Sequence, residues 1–318
     1  MAYCSKKLRI FAVIVNTKEE LMKTRNVSYL AIMAFVCLSA FGFQLPNQGE
    51  ARASVQLCQQ KCAKRVGAKT KKKTKKQIVQ KQSGEEKTAV KQLEIPGALT
   101  NRPEQILSRV AYTASYNSAL RIPNWVAWHL TSAHTNGPIK RKGITFQADE
   151  DIPAPRVDTY DYMRSGYDRG HMCPAGDNHW SQKAMEESFL MTNICPQEPA
   201  LNSGLWNTVE KLCRTWAEQY GDVYIVCGPI YFNRKHKTIG KNKVQVPEAF
   251  FKVVLRLKDE PKAIGFICRN ASAKGHKKTD YVNTVDEVER ITGMDFFSQL
   301  PDNIEQVIES QTNIKEWY

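Results

Sequence analysis

Apolar residues recur with two different periods along the C-terminal two-thirds of the chain. In Leu201–Tyr220 (LNSGLWNTVEKLCRTWAEQY), Leu205, Val209, Leu212 and Trp216 fall at i, i+4, i+7 and i+11, which predicts an amphipathic helix with Ser203 as its cap. Asp177–Leu190 also carries helical spacing. Arg109–Asn117 (RVAYTASYN) and Trp125–Thr131 (WVAWHLT) are β-rich runs on either side of a segment containing Pro123-Asn124, and read as a strand pair joined by a turn. Asp222–Phe232, Ala249–Leu257 and Ala263–Cys268 are continuous strand-like runs, and Thr284–Thr292 and Asn303–Thr312 predict short closing helices. Strand clusters around one long helix give an α+β class with a mainly antiparallel sheet.

One apolar run fits neither period. Residues 29–43 (YLAIMAFVCLSAFGF) are uncharged, Lys23 and Arg25 precede them, and Ala51-Arg52-Ala53 follows. That is the order of a secretory signal peptide, and 15 apolar residues fall short of the about 20 that span a bilayer. The expectation is a secreted or periplasmic protein whose residues 1–53 are a leader, with Met22 as a second candidate start and a retained anchor as the competing reading. No stable membrane span is expected once the leader is removed.

Charge sharpens the division. The 318 residues carry 46 Lys+Arg and 32 Asp+Glu, a net charge of +14, yet residues 93–318 hold 27 of each sign. All the excess lies in the first 92 residues. Residues 54–92 are Lys-rich and lack aromatic residues, so they cannot bury enough apolar area to offset their ordering entropy. They read as a disordered basic segment, either a tether for nucleic acid or a solvated linker. With 42% hydrophobic residues overall, residues 93–318 have the material for a folded domain. Nine cysteines occur; Cys58 and Cys62 are spaced for a small loop, and Cys227 and Cys268 would pair only if their strands are neighbours.

Candidate chemistry concentrates between Tyr160 and Arg214. Ser165–His171 (SGYDRGH) places a histidine directly after Asp-Arg-Gly; Thr192–Gln197 (TNICPQ) and Leu201–Trp206 (LNSGLW) follow. On a straight helix, Asn202, Glu210 and Arg214 lie within an arc of roughly 120° and can face the strand end that carries His171. One imidazole, one neutral amide oxygen, one carboxylate and two guanidinium groups (Arg169 and Arg214) suit a phosphodiester. The imidazole takes a proton from water, the amide oxygen takes a hard cation, and the arginines hold phosphate oxygens. Without an Asp/Glu cluster, a His pair or a cysteine quartet around the motif, neither a zinc cage nor a two-metal carboxylate site is readily built there. The remaining histidines, such as His129 and His276, lack such company.

DRGH, then N-I-x-P-Q, then L-N-x-G-x-W with a Glu eight residues after the Asn, resembles the DNA/RNA non-specific endonucleases of the ββα-metal type, which include the mitochondrial endonuclease G group. The resemblance covers roughly residues 105–310. It implies a ββα-metal catalytic core acting on DNA and RNA, with His171 as general base and Asn202 as the protein ligand of Mg²⁺, or Mn²⁺ in its place. Glu210 would hold a metal-bound water, Arg169 and Arg214 would contact phosphate, and Asp168 and Asn193 would fix the motif. An upstream basic residue is also implied, with Arg141 and Lys142 both available. The alternative class is a non-catalytic nucleic-acid or surface-binding protein on a degenerate nuclease fold, against which the intact His171/Asn202/Glu210 set speaks.

Overall fold

The most continuous apolar runs form the central strands of one sheet, because those strands are covered on both faces. The structure, a computed structural model, describes residues 92–318 apart from Arg234. The expected leader, all but the last residue of the Lys-rich segment, and Cys58 and Cys62 therefore lie outside the described residues.

The described residues open with β1 (Gln105–Ser108), β2 (Thr113–Asn117) and β3 (Ile122–Thr131), followed by a single helical turn, α1 (Ser132–Thr135). A long excursion then supplies β4 (Asp168–His171), α2 (Gln182–Glu187), β5 (Ile194–Gln197), a π-helical turn (Leu201–Trp206) and α3 (Asn207–Tyr220). The chain returns in β6 (Asp222–Ile230), the small pair β7 (Thr238–Ile239) and β8 (Val244–Gln245), then β9 (Ala249–Arg256) and β10 (Lys262–Arg269). β11 (Val282–Asn283), α4 (Val285–Thr292) and α5 (Asp302–Glu309) close the domain. The main sheet runs β1-β2-β3-β6-β9-β10-β11 and its pairs are antiparallel. The α+β class is as expected. Because β3 and β6 are direct neighbours, the whole excursion, with its β4–β5 hairpin, leaves and rejoins the sheet at one point.

Alternation along the strands sends side chains into two cores. One face (Val126, Trp128, Ile225, Cys227, Phe250, Val254, Phe266) packs under the helix through Trp206, Val209 and Trp216. The other (Trp125, Val226, Phe251, Val253, Leu255) packs under α4 and α5 through Val285, Val288, Phe296 and Ile308.

Several sequence expectations change in detail. Pro123 and Asn124 lie inside β3, not in a turn. Asn124 is buried, donating to the Pro103 carbonyl and Ser115 Oγ and accepting from Asn117, so its polar atoms are satisfied within the sheet. The turn falls earlier, where Asn117 Oδ1 accepts the N–H groups of Ala119 and Leu120. Residues 109–112 are likewise the connection between β1 and β2 instead of strand. Helical spacing over 177–190 yields only the short α2. Ser203 is not a cap: it sits within the π-turn and its hydroxyl donates back to the Pro199 carbonyl. Cys227 and Cys268 do not pair, because β9 separates β6 from β10; all five described cysteines are free and buried.

The two-core description predicts unequal mutational costs. Phe251→Ala, in a side chain with no exposure that packs on Phe296 at 5.3 Å between ring centroids, should cost about 3–5 kcal/mol in urea unfolding. Val307→Ala, 58% exposed on α5, should change stability by less than about 0.5 kcal/mol. Equal losses would contradict the assignment of layers.

Candidate active site

The site is assembled on the β4–β5 hairpin, whose register sets Asp168 opposite Gln197, Gly170 opposite Cys195 and His171 opposite Ile194. Period-two alternation puts Arg169 and His171 on one face of β4 and Asp168 and Gly170 on the other. Gly170 is required by space: a Cβ there would come within 2.3 Å of Gln197 Oε1 and 2.6 Å of its Cβ. Gln197 is itself fully buried, so it has nowhere to retreat.

The helix head is stitched to both ends of β4. Asn202 Nδ2 donates to Asp168 Oδ2 at 2.9 Å, and Trp206 Nε1 donates to the His171 carbonyl at 3.2 Å. Asn193 pins the chain just beyond: its Oδ1 accepts from the Cys173 N–H (2.9 Å) and its Nδ2 donates to the Cys173 and Ser188 carbonyls (both 2.8 Å). Asp168 thus bonds to the π-turn, and Asn193 to the backbone on either side of the motif.

His171 stands in an aromatic box, with ring centroids 5.2 Å from Phe146 and 4.9 Å from Phe189. Its Nε2 is buried and has no hydrogen-bond partner. Burial, reinforced by the positive charge of Arg141, pushes the imidazole pKa down to about 3. The ring is therefore neutral throughout the physiological range. Two guanidinium groups rim the box: Arg141 lies 5.3 Å over Phe189, and Arg169 lies 4.7 Å over Phe146 while donating to Thr159 Oγ1 at 2.8 Å. Of the two upstream basic residues, Arg141 is the one whose charge reaches His171.

Glu210 and Arg214 sit on α3, half-buried. They do not form the surface i, i+4 pair that their spacing allows. Arg214 Nη1 instead donates to buried Asp177 at 2.8 Å, and Asp177 also accepts from Trp128 Nε1 at 3.0 Å. Burial pushes the Glu210 carboxyl up to about 7, against the opposing pull of Lys252. Lys252 is wholly buried, its ammonium 4.9 Å from the Trp128 ring and 4.5 Å from the Trp206 ring. Desolvation works against its charge, but the neighbouring thiols, Glu210 and Asp177 outweigh it and keep the ammonium protonated.

The straight-helix arithmetic that joined Asn202 to Glu210 and Arg214 does not hold across Gly204, whose φ of −99° and ψ of −105° break the helix. Regular α-helix starts at Asn207, and Asn202 is placed by the π-turn and by Asp168. With Nδ2 committed to Asp168, Oδ1 is the amide atom left for a cation, so the donor set fits a hard divalent metal. The thiols of Cys173 and Cys195 are pushed well above their usual range by burial, which disqualifies them as nucleophiles. Sequence reasoning missed Phe146, Phe189, Thr159, Asp177 and Lys252. Only Lys252 had a local signal, a lone ammonium inside the otherwise apolar AFFKVV.

Comparison with known proteins bears on the family and the fold. A family model described as DNA/RNA non-specific endonuclease matches residues 89–303. "Nuclease EXOG, mitochondrial" of Danio rerio is 37% identical over 204 residues, 59% of this chain and 60% of that protein. "Endonuclease G, mitochondrial" of Homo sapiens is 37% identical over 161 residues, 48% of this chain and 54% of that protein. The chain thus spans between half and two-thirds of these relatives' length. A solved structure described as "Crystal structure of the EndoG/EndoGI complex: Mechanism of EndoG inhibition" superposes with a TM-score of 0.62 at 31% identity, covering 66% of this chain and 90% of that one. The expectation of a secreted or periplasmic protein is overturned by the relatives named as mitochondrial. An apolar run behind a few basic residues does not tell which targeting receptor reads it. Among the described residues no helix is long and apolar enough to cross a membrane.

The crowding at Gly170 is directly testable. Gly170→Ala should destabilise the chain by about 1–3 kcal/mol, and Gln197→Ala in the same protein should restore part of the loss. Additive losses in chemical unfolding would show that Gln197 is not the obstacle.

Proposed function

Since the chain belongs to the DNA/RNA non-specific endonuclease family, we propose that it is a metal-dependent nuclease hydrolysing phosphodiester bonds of DNA and RNA, with His171 as general base. The observation that carries this reading is the neutral, partnerless Nε2 of His171 between two guanidinium-capped aromatic rings. A base must be unprotonated before it can accept a proton, and this one is. Its low proton affinity in the free protein rises when substrate arrives. A phosphodiester brings negative charge beside the ring and offsets the charge of Arg141, both of which favour the imidazolium.

The chain's residues divide the remaining work. Arg141 and Arg169 hold phosphate oxygens at the rim of the box. Arg214, tied to Asp177, keeps further N–H groups for phosphate and fixes positive charge beside Glu210. Asn202, through Oδ1, would hold the cation, and ionised Glu210 would accept a hydrogen bond from water next to it. Mg²⁺, the ion that an oxygen-only, water-rich environment suits best, when bound supplies charge neutralisation at the scissile phosphate and the leaving oxygen. Mn²⁺ has the same ligand preference. The names of the relatives support a mitochondrial address for this chain. The Lys-rich residues 54–92 would then add affinity for long nucleic acid through counterion release.

Replacing His171 by Ala should lower cleavage of plasmid DNA by about 10²–10⁴-fold with binding of an oligonucleotide retained. Near-parental turnover would remove His171 from the role. A pH series separates the two titrating groups. With His171 neutral above about pH 3 and Glu210 ionising near 7, activity should rise with pH through a limb close to 7, and Glu210→Gln should abolish that limb. The same shift acts on stability. The folded chain keeps a proton on Glu210 between its ordinary 4.5 and about 7 that the unfolded chain has lost, so stability falls as pH rises across that window. In Glu210→Gln this contribution should vanish; an unchanged acidic limb would assign it to another group.

A further inference from the structure

On the face of the sheet opposite the catalytic helix, α4 and α5 enclose a crevice of about 490 Å³ walled by Asp286, Glu289, Asp295, Asp302, Glu305 and Glu309. Among the described residues no Lys or Arg lines it. Some of this charge has an ordinary reason. Asp286, Asp302 and Glu305 stand in the first turns of their helices, where the positive end of the dipole favours carboxylates. Glu309 has none. It is the last residue of α5, where the dipole opposes it, it is only 5% exposed, and its Oε1 is buried without a donor. An unpaired buried carboxylate is costly, and neighbouring acids raise that cost. The one basic side chain of α4, Arg290, is paired with Glu287, to which its Nε and Nη2 each donate at 2.7 Å, and it does not line the crevice. Glu289 spends one oxygen on the Phe296 N–H at 2.7 Å and keeps the other.

We infer that this corner is a second divalent-cation site, formed by Asp286, Glu289 and Glu309 and suited to Ca²⁺ over Mg²⁺. One carboxylate oxygen from each lies within 4.8 Å of the others. Ca²⁺ accepts carboxylate oxygens in flexible geometry and loses its water readily, whereas Mg²⁺ demands near-ideal octahedral order and dehydrates reluctantly. Three carboxylates on two helix segments match the looser ion. The bound cation would give Glu309 its missing partner and join the end of α5 to α4, so its role is to stabilise this layer and not to take part in phosphodiester chemistry.

The test uses the full chain carrying Asn202→Ala, which removes the proposed catalytic ligand, so the readout does not depend on nuclease activity. Calorimetric titration with CaCl₂ should show one saturable site with a dissociation constant on the order of 10⁻⁴ M, weaker binding of Mg²⁺, and a Ca²⁺-dependent rise in Tm. Adding Glu309→Gln should weaken Ca²⁺ binding by about tenfold or more and, in calcium-free buffer, leave the protein at least as stable, since repulsion is relieved. Asp286→Asn, at an exposed position, should weaken binding in the same direction and serves if Glu309→Gln fails to fold. Absence of saturable binding, or an identical Ca²⁺ response in parent and variants, would overturn the site and leave only a charged surface corner. Neither result bears on His171.

Discussion

Two hydrogen bonds join β4 to the π-turn at the head of α3, and the candidate site depends on them: Asn202 to Asp168, and Trp206 to the carbonyl of His171. Among the described residues the hairpin's strands pair with each other and not with the main sheet, so its orientation comes from such bonds, from Asn270 donating to the Pro196 carbonyl and from the burial of Ile194 and Cys195. The Asp168 bond also decides which way the Asn202 amide faces. A carboxylate accepts only, so it takes Nδ2 and leaves Oδ1 for a cation. The π-turn at Leu201–Trp206 makes this possible by displacing Asn202 from the regular helix, and π-helical insertions of this kind recur at functional sites.

Beneath the helix lies an unusual concentration of buried charge. Lys252 and Asp177 are buried beside Trp128, and the half-buried Arg214 reaches in to pair with Asp177. Burying ions costs stability, and a hydrophobic replacement of equal volume is often no worse for the fold. Its value here is electrostatic. Lys252 and Arg214 hold down the pKa of Glu210, which burial alone would drive higher, and so keep that carboxyl able to ionise near neutrality. The layer on the other face has no such need and is apolar up to its acidic corner.

The parts legible in the sequence were those whose cause is local. β6, β9 and β10 showed as unbroken apolar runs because both their faces are buried, and α4 matched its capped, periodic segment. The motif residues stood out in the sequence because the chemistry proposed for them, hydrolysis of a phosphodiester, needs those side-chain types in one place. What was not legible depends on distant partners. Pro123-Asn124 looks like a turn until Ser115, Asn117 and Pro103 satisfy Asn124 inside the sheet. Phe146 and Phe189 read as ordinary core positions, and nothing near Asp177 marks it as the partner of Arg214. Helix arithmetic from Asn202 failed at one glycine, a break that residue spacing does not reveal. The apolar run at 29–43 misled about location for a different reason, since targeting is read by a receptor and not by the fold.

The most direct test of this account is the Mg²⁺ dependence of cleavage by Asp168→Asn. That side chain can both donate and accept, so it no longer dictates the orientation of the Asn202 amide, while its size and the backbone of β4 are preserved. The account predicts an unchanged circular-dichroism spectrum and Tm, with the Mg²⁺ concentration for half-maximal cleavage raised by about 10–100-fold. A variant that folds normally and cleaves with the parent's Mg²⁺ curve would contradict the claim that the Asp168–Asn202 bond prepares the metal ligand.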